Sequence, residues 1–155
     1  MPTRREFTLI LLTTLATAGL AVHAQSDKTA AMTSIAIEWN SIEAKTNATG
    51  YSRKFFAGPT ADFEVLECHA STLNPGATNH MILRRPNDEV IIMKEGTIEA
   101  FVNVKWVRGG PGSVIFNTAN VPQAMRNGGD GPATYHVITF RPAATPQKPA
   151  AEKAN

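Results

Sequence analysis

The chain has 155 residues, 43% of them hydrophobic, enough to build one globular core and too few for two. Its 15 basic and 13 acidic residues give a formal net charge of +2, and because the basic residues are scattered no phosphate-binding face forms, so nucleic acid is not an expected partner. Cys68 is the single cysteine, which excludes an intrachain disulfide and a zinc site built from thiolates.

Taken in chain order, Thr3-Arg4-Arg5-Glu6-Phe7 reads as a twin-arginine export signal. An apolar run from Leu9 to Val22 follows, with a small-residue exit at Val22-His23-Ala24. Residues 1–24 are therefore expected to be a cleaved signal peptide and the protein to be bacterial, periplasmic or secreted. The apolar run is shorter than the ~20 residues a spanning helix needs, so no stable membrane span is expected after cleavage. Residues 25–33 are polar without apolar period and residues 143–155 are rich in Ala, Pro and Lys; both are expected to be disordered, as a linker and a tail. Residues 34–142 form the expected folded domain. Runs of strand length lie at Ile35–Trp39, Phe63–His69, Glu89–Lys94, Thr97–Val102, Ser113–Phe116 and Ala133–Phe140. Asn74-Pro75-Gly76, Gly109-Gly110-Pro111-Gly112 and Asn127-Gly128-Gly129-Asp130-Gly131-Pro132 punctuate them. No stretch carries a helical apolar stripe over three turns, so the fold class is all-β, a barrel or sandwich.

From Asn74 onward the framework takes on a recognisable order. Gly76, Glu89 separated from Gly96 by six residues, then Gly112 and Asn127 resemble the two motifs of the small cupins, over Leu73 to Phe140. The nearest resemblance is to short exported single-domain cupins, which share Leu-Asn-Pro-Gly and Gly-Pro-Gly-Ser-Val. The resemblance implies a double-stranded β-helix, or jelly-roll, barrel of the RmlC-like type, paired as a homodimer. It also implies a metal site from a His-x-His pair, a glutamate and a later histidine. Two histidines one residue apart point to the same side of a strand, and such a mixed nitrogen and oxygen set suits a divalent transition metal.

Here the pair falls on Leu83 and Arg85, the last histidine on Gln123, and only Glu89 remains. Thr118 and Asn120 also stand where Pro and Gly are usual. Leucine has no donor, arginine stays protonated, and glutamine is a weak neutral ligand, so no metal or other cofactor is expected. The candidate pocket residues are Leu83, Arg85, Glu89, Gln123 and His80. Arg85 either points inward and neutralises Glu89 or, with Arg84, forms a solvated turn before Pro86. A displaced divalent metal held by His80 and Glu89, with Gln123 or one other histidine, is the alternative; His69 and His136, on expected strands, are the other histidines. Cys68 reads as packing, and Asn103-Val104 stands at a hairpin where Val resists the positive φ of a type I′ turn, which favours another turn type.

Three functions follow in different classes. The first is a metal-independent barrel that binds a small polar or anionic molecule. The second is a metal-dependent dioxygenase or isomerase with an unconventional site. The third is a non-catalytic dimerising barrel. Whether the chain is an enzyme is left open, with the first reading preferred.

Overall fold

The computed structural model describes residues 30–144. The expected signal peptide 1–24, most of the linker 25–33 and most of the tail 143–155 lie outside the described residues. The ends of the described segment are tied to the body: Met32 N–H donates to Pro59 O at 2.8 Å and Ala143 N–H to Asp62 O at 2.9 Å.

The fold is an all-β barrel of antiparallel strands. In chain order they are β1 (Lys45–Asn47), β2 (Gly50–Gly58), β3 (Phe63–Leu73), β4 (Leu83–Arg84), β5 (Asp88–Glu95), β6 (Ile98–Val102), β7 (Lys105–Gly109), β8 (Val114–Asn117), β9 (Pro122–Gln123), β10 (Met125–Asn127) and β11 (Ala133–Pro142). A six-stranded sheet runs β1-β2-β3-β11-β5-β8, a three-stranded sheet β10-β6-β7, and β4 pairs with β9. Strand β11, the last among the described residues, thus inserts between β3 and β5, which closes the large sheet through contacts distant in sequence. Leu73, Ile91, Met93, Ala133, Tyr135 and Val137 from the large sheet meet Ile98, Ala100 and Met125 from the smaller one in a single buried cluster. Alternation places these residues on the inner faces of both sheets.

The framework residues of the motifs have structural duties. Gly96 turns the chain from β5 towards β6 at φ 78°, and a Cβ there would lie 2.4 Å from Pro132 O, so only glycine fits. Asn127 is buried; its Nδ2 donates to Leu73 O and Gly131 O while its Oδ1 accepts from Gly129 N–H. It pins the turn that launches β11.

Two expectations are corrected. Ile35–Trp39 is not a strand: it has no ladder partner and ends in a 3-10 turn, Trp39–Ser41, capped by the Glu38 side chain. Ile37 and Trp39 lie across the outer face of the large sheet, where Trp39 is tilted against Phe55 and edge-on to His136 at 5.9 and 5.7 Å, while Ile35 stays largely exposed. The hairpin at Asn103-Val104 does adopt positive φ at both residues, 48° and 63°, the type I′ geometry. The β6–β7 register, with Val102 opposite Lys105, imposes that turn despite the branched side chain. Strands β2 and β7 lack a clear apolar alternation and escape a pattern-based reading; their pairing with β3 and β6 defines them.

Candidate functional site

Strand register builds the site. Thr139 on β11 lies opposite Glu67 on β3 and Glu89 on β5, and Glu89 lies opposite Asn117 on β8. One polar row, Glu67, Thr139, Glu89 and Asn117, therefore crosses four strands on the inner face. Two residues along each strand the row becomes His69, Val137 and Ile91, and two further Ser71 and Tyr135. These side chains line an interior cavity of about 350 Å³ together with His80, Arg85, Gln123, Asn79, Ala100 and Met125. That volume lies at the lower end of small-molecule pockets, about 300–1,000 Å³.

Arg85 turns into the cavity from the segment after β4, and its Nε lies 3.6 Å from Glu89 Oε1. Glu89 is 8% exposed, so its charge needs this partner. Thr139 Oγ1 donates to the same oxygen at 3.4 Å. His80 holds Met81 O at 2.7 Å through Nδ1, so that nitrogen carries the proton. Burial pushes the Tyr135 hydroxyl up to about 12; the Ser71 hydrogen bond and Arg85 pull the other way and Glu89 adds to the rise. Tyr135 is therefore a neutral hydroxyl at physiological pH.

Two buried side-chain atoms have no hydrogen-bond partner among the described residues, Gln123 Nε2 and His69 Nδ1. Gln123 is only 3% exposed. His69 Nδ1 lies 3.2 Å from Glu67 Oε1 but without the alignment of a hydrogen bond. Both residues line the cavity.

Four of the five pocket residues expected from the sequence, His80, Arg85, Glu89 and Gln123, line this cavity. Leu83 does not. The reading that gave Leu83 and Arg85 a common inward direction fails because β4 is two residues long and the chain turns at Arg85-Pro86; Leu83 instead pairs with Gln123 along the backbone. The solvated-turn reading holds for Arg84, which is exposed and donates to Asn120 O; Arg85, with its side chain 42% exposed, lines the cavity as well. Glu67, Ser71, Asn117, Tyr135 and Thr139 are pocket residues that the sequence does not single out, and His69, a possible partner of His80 and Glu89 by sequence, joins them in the wall. Their signal was present in part: on β3, Glu67, His69 and Ser71 are polar at every second position, while Leu66 and Cys68 alternate with them. Outer-face packing inverts the usual assignment, since Cys68 faces Ile35, Ile37, Phe55, Phe56 and His136 on the far side of the sheet. Burial, with Glu67 adding to it, raises the Cys68 thiol, which keeps it protonated and poorly nucleophilic.

The side chains do not fit a metal. Leu83 is outside the cavity, Arg85 brings a fixed positive charge against the one remaining carboxylate, and among the described residues no three His, Cys, Asp or Glu side chains cluster. The displaced set of His80, Glu89 and Gln123 shares the cavity wall, but its carboxylate is paired to Arg85 and a guanidinium repels a cation.

Residues 70–139 match a family model described as a cupin domain. No curated protein matches the chain. Among solved structures, an RmlC-like cupin from Shewanella frigidimarina is similar at TM-score 0.57 and 14% identity, covering 70% of this chain and 90% of that one. The polyketide cyclase RemF from Streptomyces resistomycificus is similar at TM-score 0.56 and 16% identity, covering 71% and 82%. A sugar phosphate isomerase of the cupin superfamily from Silicibacter pomeroyi is similar at TM-score 0.55 and 19% identity, covering 69% and 76%. At these identities the likeness extends to the fold, and activity has to be argued from the site.

Proposed function

We propose that this chain, whose residues 70–139 form a cupin domain, holds a small polar molecule inside its barrel without a metal centre. One observation carries the reading: both buried side-chain atoms that lack a partner among the described residues, Gln123 Nε2 and His69 Nδ1, line the same cavity. Buried polar atoms are almost always satisfied, and one left open costs about 1–3 kcal/mol. Two such atoms around one cavity are the arrangement a bound polar molecule completes. Arg85 supports the reading, because a guanidinium held against Glu89 keeps spare N–H groups for a ligand.

The test is a binding comparison on the folded protein. Arg85→Ala and Gln123→Ala are expected each to weaken binding of a small polyhydroxyl molecule by about tenfold or more. Unchanged binding in both variants would remove the reading.

Location and assembly are part of the same proposal. The twin-arginine start and Val22-His23-Ala24 support an exported protein. Ile92 and Val114, with Phe116 beside them, face outward from β5 and β8 as one exposed apolar patch, which supports pairing of two copies through the large sheet.

A further inference from the structure

We infer that the molecule held in the cavity is uncharged and rich in hydroxyl groups, and that anions are rejected; the inference rests on the ligand-binding reading above and specifies its chemistry. The wall carries two carboxylates, Glu67 and Glu89, against one guanidinium, Arg85. Arg85 Nε lies 3.6 Å from Glu89 Oε1, so the charge of the one guanidinium is set against one of the two carboxylates. The cation near Glu67 is Lys54, also 3.6 Å away, but its side chain is 63% exposed and outside the cavity wall, where water and salt screen it. An anion entering the cavity would therefore face a wall that carries one more carboxylate than guanidinium.

The hydrogen-bond complement favours hydroxyls. Gln123 Nε2 needs an acceptor. Glu89 needs donors, because its Oε1 has only the Thr139 hydroxyl at 3.4 Å and Arg85 Nε at 3.6 Å, both long for charge-assisted bonds. A hydroxyl group supplies one donor and two acceptor lone pairs, whereas a carboxylate or phosphate oxygen supplies only acceptors. Each hydroxyl can thus satisfy the amide on one side of the cavity and a carboxylate on the other. His69 Nδ1 beside Glu67 can be met by either role of a hydroxyl. Beneath the polar row, Ile91, Val137, Ala100 and Met125 offer an apolar floor suited to the C–H surface of a sugar or polyol.

A matched pair of probes tests the inference. Glucose and glucuronate differ in one group, a hydroxymethyl against a carboxylate; inorganic phosphate provides a second anion. Titrated into isotopically labelled protein, with the Gln123 side-chain amide followed by nuclear magnetic resonance, glucose is expected to give a saturable shift. Glucuronate is expected to bind at least about tenfold more weakly, which corresponds to ~1.4 kcal/mol. Glu67→Gln, which keeps an acceptor and removes the charge, is expected to narrow the preference for glucose over glucuronate by about tenfold; an unchanged preference would count against the charge argument. Tighter binding of glucuronate or phosphate than of glucose would overturn the uncharged-ligand inference and leave the cavity as the binding place. No shift of Gln123 with any of the probes would overturn the ligand-binding reading itself, and this inference with it.

Discussion

The amide nitrogen of Gln123 is buried and without a partner among the described residues, so the residue costs the fold something that a ligand restores. Replacing it with an apolar side chain of similar length separates the two roles. Gln123→Met is expected to raise the unfolding free energy by about 1 kcal/mol, because an unsatisfied buried donor disappears, and to abolish ligand binding. Chemical denaturation and a binding titration on the same variant check this; a destabilised variant would contradict it. Val104 poses a simpler case. It sits at φ 63° and is 78% exposed, so its branched side chain contributes strain and little burial. Val104→Gly is expected to stabilise by about 0.5–1 kcal/mol, the relief of left-handed strain less the entropy of glycine, seen as a higher Tm. Tyr135 makes stability depend on alkaline pH. Its hydroxyl ionises at about 12 in the folded protein against an ordinary value of 10.0, so above that ordinary value the unfolded chain loses its proton first. The stabilisation is complete below pH 10 and declines as pH rises towards 12, by roughly 2–3 kcal/mol in total. Tyr135→Phe should flatten the decline in that window, measured as unfolding free energy against pH.

Among the elements, those with apolar alternation were legible from the residues. Strands β3, β5, β6, β8 and β11 fall where the sequence places them, within a few residues at their ends. Ile35–Trp39 shows why such a pattern can mislead: alternate apolar residues also arise when an extended segment lies across a sheet without pairing to it. Strand β2 was illegible for the opposite reason, since its sequence carries Arg53 and Lys54 amid aromatics and its pairing with β3 shifts between Lys54 and Phe56. The Gly96 turn shows how a single residue fixes an element. Gly96→Ala would place a methyl 2.4 Å from Pro132 O at a positive φ, and a loss of roughly 2–4 kcal/mol is expected from clash and strain together. The exposed face of β5 and β8 makes an assembly prediction. Phe116→Glu puts a charge in the apolar patch and is expected to shift the protein to monomers in sedimentation without lowering its thermal stability as a monomer.

At the scale of the whole molecule, the barrel and its site differ in how far the sequence discloses them. The glycines and Asn127 serve local geometry that a short motif encodes, so the framework is readable: Asn127 closes its three bonds within one corner of the barrel. The cavity depends instead on the register between β3, β11, β5 and β8, which joins Glu67, Thr139, Glu89 and Asn117 from positions up to about seventy residues apart. No local pattern announces that row. Residues at the motif's ligand positions disclosed the loss of metal donors, and the direction of Arg85 needed the fold. The account turns on Arg85 standing against Glu89 where a cation would otherwise be held. Its most direct test is the transition-metal content of the folded protein purified from its own host without chelators. The account predicts Mn, Fe, Ni, Cu and Zn each far below one atom per chain; one atom of any of them per chain, retained through dialysis, would contradict it.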